Sequence, residues 1–311
     1  MPSKVVCKET KWWCNMSKVL RKKYIESDYE RLHTRLVEEG ICESELDSIV
    51  DVRSGCIYDT KTITSGVIRE VEVFPLYLKK DMPDEWRLKN TKEAQKNLNN
   101  KNAIKNFTRK LNMNFVKGDY YLTLEYLKKY LPKDHEEARK QMHKYIKRLN
   151  YLYRKKQLAD GVNKKNIKRI KYMFITEHSD VKKIRCHHHM IMEAVLPIEV
   201  VEREWKFGNR TKISFLSPDD MGLTGLAIYL SKDPKGKKRW CCSRNLKNPY
   251  ITRNLTKFSK KKVREIVNNQ NLIKYEMEKN NPGYIFVDAQ VMINEFNGMP
   301  YIYARMRKIN W

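Results

Sequence analysis

The sequence predicts an α+β fold, in which an antiparallel sheet carries helices on one face and leaves the other face open. Three observations carry this. YYLTLEYL, IKRIKYMFITEHSD and RCHHHMIMEA alternate with period two, as strands do. HEEARKQMHKYIKRLNYLYRKK instead puts Met142, Tyr145, Ile146, Leu149 and Leu152 on one side at helical spacing. The segments follow one another as strand, helix, hairpin, helix, strand.

Taken in order, SKVLRKKYIESDYERLHTRLVEEGI reads as a helix ending at Gly40, with Trp12 and Trp13 before it as docking residues. ITSGVIREVEVFPLYL alternates as a strand after a glycine turn, and MPDEW marks a loop. From Thr91 a polar helix, TKEAQKNLNNKNAIKNFTRKLNMNF, leads through VKGD into a strand on which Leu122 and Leu124 face away from Tyr121, Thr123 and Glu125. After the basic helix, DVKK joins two period-two runs into a hairpin.

PIEVVEREWKFG is a short helix and TKISFL a strand. SPDDMGLTGLAIYLSKDP carries helix signals: Ser217 as N-cap, Pro218 at the first position, Asp219 and Asp220 in the first turn. GKKRWCCSRNL reads as a strand, KFSKKKVREIVNN as a basic helix, and GYIFVDA and MPYIYARMR as strands. This order is that of a ferredoxin/RRM-like sheet. It divides the chain into an accessory segment (1–92), a catalytic domain (93–250) and a C-terminal extension (251–311).

Charge narrows the partner. The chain has 64 Lys and Arg against 37 Asp and Glu, a net charge of +27, which calls for a polyanion such as nucleic acid. A membrane is not expected, because no apolar run approaches the roughly 18 residues needed to span one. Nor does MPSKVVCKETKWWCN have a signal peptide's apolar core. The expectation is a soluble, cytoplasmic protein. Its seven cysteines include no CxxC pair, so neither a disulfide framework nor a zinc knuckle is indicated.

Three of the seven histidines stand together in RCHHHMIME. On a strand His187 and His189 share one face while His188, Met190 and Met192 share the other. Two imidazoles so placed suit one metal ion, and Glu177 on the hairpin partner can face them as an oxygen ligand. One packed and one solvated histidine would fit the same spacing. Tyr229 sits at the edge of the stripe formed by Leu223, Leu226, Ala227 and Leu230, with Gly222 and Gly225 before it and Lys232 three residues on. A phenol needs a nearby cation to act as a nucleophile, and Lys232 supplies one; a core tyrosine with a snorkelling lysine is the alternative. Farther on, Lys237, Lys238, Arg239 and Arg244 can grip phosphates, and Trp240 can stack on a base. A basic edge strand that discourages aggregation accounts for the same stretch.

These residues resemble the HUH endonucleases, most closely the single-tyrosine rolling-circle replication initiators of Gram-positive plasmids, phages and related mobile elements. The likeness spans residues 95–250 and rests on YLTLEY, YMFITEHS, HHHMIM, GLTGLAIYLSKDPKGKKRW and SRNLKNP in the family's order. Glu125 replaces the family's second threonine, His188 fills a slot that is usually apolar, and Asp233 stands where some relatives carry a second tyrosine. The resemblance implies a metal-dependent endonuclease and strand transferase that uses Mg or Mn. Tyr229 would be its nucleophile and Lys232 its lysine. It further implies single-stranded origin DNA as substrate, a 5′-phosphotyrosine intermediate, and a host helicase and polymerase as partners. A relaxase or transposase of a mobile element would use the same residues, although the histidines-then-tyrosine order disfavours a relaxase. A non-catalytic single-stranded DNA-binding protein would not need Tyr229.

Overall fold

A computed structural model describes residues 24–26, 56–78, 92–179, 184–208, 211–231, 240–293 and 299–309. Their elements run β1 (Tyr24–Glu26), β2 (Ile57–Ser65), β3 (Ile68–Leu78), α1 (Lys92–Asn114), β4 (Tyr120–Glu125), α2 (His135–Ala159), β5 (Tyr172–Ser179), β6 (Ile184–Met192) and α3 (Ile198–Arg203). There follow β7 (Thr211–Phe215), α4 (Thr224–Leu230), β8 (Cys241–Cys242), β9 (Tyr250–Asn254), α5 (Lys260–Asn268), α6 (Asn271–Lys279), β10 (Tyr284–Ile293) and β11 (Pro300–Lys308). The chain is α+β, and its strand pairs are antiparallel. It forms two compact units, residues 1–102 with 250–311 and residues 103–249. No described helix is long and apolar enough to cross a membrane.

In the first unit Gly66, at φ 62°, closes the β2–β3 hairpin in a left-handed conformation that costs glycine little. The sheet runs β10-β11-β3-β2-β9, with β1 also on β3. Strands from both ends of the chain thus share one sheet. Val71, Val73, Ile302, Ala304 and Met306 pack against Val263 and Ile266 of α5 and Ile273 and Met277 of α6. The side chain of Ser259 caps α5 by accepting from Lys262 N. Tyr24–Glu26, read from the sequence as helix, pairs with β3 as strand β1; Trp12 and Trp13 lie outside the described residues.

The second unit is the five-stranded sheet β7-β4-β6-β5-β8. Tyr120, Leu122 and Leu124 pack with Met190 and Met192 against Ala138, Met142, Tyr145, Ile146 and Leu149 of α2. Each large aliphatic side chain on that stripe contributes about 2 kcal/mol by leaving water. The opposite face is not open along its length: Met173, Ile175 and Ile191 lie under Phe107, Leu111 and Phe115, under Leu223 just before α4, and under Ala227 and Leu230 of α4. Helices therefore cover both faces, because Met173 and Ile191 leave that end apolar and need a cover. Among the described residues the apolar cover stops short of the His187 end of this face, where the Glu177 and His187 side chains keep 17% and 22% exposure.

The helix signals around Ser217 also resolve differently. Asp219 Oδ1 accepts from Met221 N at 2.7 Å, and the Asp219 and Gly222 backbones bond to each other. With Gly222 at φ 65°, these bonds close a tight turn, so α4 starts only at Thr224. Of the strand expected in GKKRWCCSRNL, the described residues retain Cys241–Cys242.

Candidate metal centre and tyrosine site

Strand β6 is central, paired with β4 on one side and β5 on the other. The registers set Glu125, His187 and Glu177 in one row and Thr123, His189 and Ile175 in the next. Since alternate residues share a face, all six project to the side away from α2. There Glu177 Oε2 stands 3.5 Å from His187 Nε2, and Glu177 Oε1 stands 3.9 Å from His189 Nε2. One ligand atom from each of the three residues lies within 4.8 Å of the other two, a group that could hold a metal ion.

The hydrogen bonds behind the imidazoles suit that use. His187 Nδ1 donates to the Arg185 carbonyl at 2.9 Å, which turns Nε2 toward Glu177. His189 Nδ1 lies 2.8 Å from the Tyr121 hydroxyl and 3.3 Å from Thr123 Oγ1. Burial, more than any neighbour, raises the Tyr121 pKa; the hydrogen bond with Thr123 opposes it, and the nearby Tyr229 and Glu177 oxygens add to it. Tyr121 therefore stays a neutral phenol. Two imidazole nitrogens and a carboxylate form a donor set that suits divalent transition metals, and three protein ligands leave coordination positions for a substrate oxygen.

His188 points the other way and is fully buried. Its Nε2 meets the Tyr126 hydroxyl at 2.7 Å and its Nδ1 meets Thr176 Oγ1 at 2.9 Å, with Trp205 and Phe174 edge-on. Desolvation, joined by His187, His135 and His189, holds its pKa well below the ordinary histidine value. It is a neutral core residue that fixes β6 from behind.

Tyr229 lies on α4, 53% exposed, with its ring centroid 6.2 Å from that of His189. Leu223, Ala227 and Leu230 bury the opposite side of this helix, which turns the phenol outward. Its start is pinned by Asn112, whose Oδ1 accepts from Leu223 N at 2.7 Å and whose Nδ2 donates to Thr224 Oγ1 at 3.2 Å. Gly225 is exposed; a Cβ there would meet nothing nearer than Asp219 Oδ2 at 4.0 Å, so the helix presents an open flank.

Glu177, His187, His189 and Tyr229 are thus brought together. Arg244 is exposed. Trp240 is half-buried, its ring 5.7 Å from Phe107 and 6.0 Å from Lys110 Nζ, so part of its surface is used in packing. Lys232, Lys237, Lys238 and Arg239 lie outside the described residues. Sequence reasoning missed Tyr121 and Thr123 as partners of His189, although their parity on β4 was readable. It also missed Lys212, exposed on β7 and paired with Thr123 in the row of His189. Asn112 left no local signal, because its partners are 111 and 112 residues away. No family model, curated protein or solved structure matches this chain.

Proposed function

We propose that the chain is a metal-dependent endonuclease and strand transferase of single-stranded DNA, of the rolling-circle initiator type, with Tyr229 as its nucleophile. One observation carries the reading: an outward phenol stands beside a His-His-Glu group at one end of a sheet face, its ring 6.2 Å from that of His189. The net charge of +27 favours a polyanionic substrate.

Glu177, His187 and His189 would hold Mg or Mn, which supplies a Lewis acid for a phosphate oxygen. Tyr229 Oη forms the new bond to phosphorus as the bond to the 3′ oxygen breaks. One proton leaves the phenol, and one is taken up by the displaced oxygen, leaving a 5′-phosphotyrosine and a 3′-OH. Tyr121 and Thr123 hold the His189 ring in place, and Lys232 is assigned to the charge that develops on the phosphate. The covalent link conserves the phosphoester for rejoining, and the 3′-OH would prime synthesis at an origin.

The test is incubation of purified protein with single-stranded DNA and Mn, followed by denaturing electrophoresis. A denaturation-resistant adduct is expected, lost in Tyr229→Phe and on chelation, with DNA binding kept by Tyr229→Phe. An adduct that survives Tyr229→Phe refutes the assignment.

A further inference from the structure

A pocket of 210 Å³ opens between β7, the turn before α4, and Tyr121. Its lining includes Tyr121, Ser214, Phe215, Ser217, Asp219 and Leu223. Tyr121 belongs to this pocket and to the His189 hydrogen bond alike, so the pocket adjoins the candidate metal centre. Leu223 belongs to the cap of the helix that carries Tyr229. We infer that this pocket receives one unstacked nucleobase next to the scissile phosphate, one with an amino group on its pairing edge, while Lys212 holds a phosphate of the same strand. This deepens the reading of the chain as an enzyme of single-stranded DNA and rests on it.

Two features argue for such an occupant, the polar lining and Lys212. Phe215 reaches the pocket edge only through its place on β7: it pairs with Tyr120, and the 5.6 Å contact of their rings puts its side chain on the α2 face. Besides Tyr121, the polar residues of the lining are Ser214, Ser217 and Asp219, which bring two hydroxyls and a carboxylate to it. Asp219 Oδ1 is engaged with Met221 N, and a carboxylate accepts several hydrogen bonds but donates none. It therefore favours adenine, cytosine or guanine, whose pairing edges carry an amino donor, over thymine, whose one N3–H is flanked by two carbonyl oxygens that repel a carboxylate. Lys212 is exposed, two residues before Ser214 on the same face of β7, about 7 Å along the strand. It offers a phosphate contact on the side of the pocket that faces His189.

The test uses a random pool of single-stranded DNA with the full chain and Mn. Junctions of the covalent adducts are sequenced; in parallel, the pool retained by Tyr229→Phe protein is sequenced. Thymine should be depleted about tenfold at one fixed position beside the junction. Asp219→Asn, which keeps the turn's acceptor and adds a donor, should move the preference toward keto-bearing bases. Lys212→Ala should weaken binding of all sequences alike and lower the salt slope by about one.

An adduct without base preference, or a preference unchanged by Asp219→Asn, overturns the pocket and leaves the nuclease standing. No adduct, with a base preference in the retained pool that Asp219→Asn shifts, overturns the nuclease and supports the pocket. Neither adduct nor preference removes both.

Discussion

The hydroxyl of Tyr121 lies 2.8 Å from Nδ1 of His189, on neighbouring strands whose registers hold both residues on one face. That bond orients the imidazole, and burial keeps the phenol neutral, so it acts by direction and not by charge. Tyr121→Phe should bind Mn about 10-fold more weakly while remaining folded. Titration calorimetry with Mn, beside a thermal melt, separates the two effects; unchanged affinity would remove Tyr121 from the site.

Glu177, His187 and His189 form one group, so each should be needed for metal-linked stability. Mn at a hundred times its Kd should stabilise the wild-type chain by about 2.7 kcal/mol. Glu177→Gln, His187→Ala and His189→Ala should lose most of that gain, as read from melting temperatures with and without the ion. Full stabilisation of all three variants would show that Mn binds elsewhere.

His188 makes the fold sensitive to acid. Its folded pKa is lowered, so above about pH 6.5 it is neutral folded or unfolded and has no effect. Below that, the unfolded chain takes up a proton that the folded chain refuses, and stability falls as pH falls toward the folded pKa. Urea midpoints in the presence of chelator should drop between pH 7 and pH 5. His188→Gln, which still donates and accepts, should flatten that drop.

Asn112 bonds both to the buried Leu223 amide and to Thr224. Asn112→Ala leaves that amide unsatisfied and should cost about 1–3 kcal/mol. Because α4 would then lose its anchor, adduct formation should slow as well. Asn112→Asp keeps the acceptor and should recover most of the stability, an outcome that chemical denaturation can read.

Gly208 sits where nothing larger fits. A Cβ there would stand 1.9 Å from the Glu125 carbonyl and 2.8 Å from Trp205 Nε1, which itself donates to that carbonyl at 2.7 Å. Gly208→Ala should destabilise by about 1–3 kcal/mol and disturb the end of β4 beside His187. Wild-type stability in this variant would contradict the close approach.

The periodic segments were legible in the sequence because their burial is local. Leu122 and Leu124 are buried against α2 and Tyr121, Thr123 and Glu125 are less so, as the alternation predicts. The Glu177, His187 and His189 convergence was readable for the same reason: a hairpin fixes register over a few residues. What escaped depends on distant partners. The second helical cover of the sheet follows from α1 and α4 meeting over Ile191, and the late start of α4 follows from the bonds of Asp219. The glycine at 208 gives no hint of the carbonyl 83 residues earlier in the chain.

The central place of β6 has a mechanical consequence. Its backbone is hydrogen-bonded to strands on both sides, so its amides should be among the slowest to exchange with deuterium, while those of the edge strands β7 and β8 exchange sooner. The imidazoles are then a fixed template that an ion can leave and re-enter without rebuilding the sheet. The phenol stands outside that ladder, on a seven-residue helix.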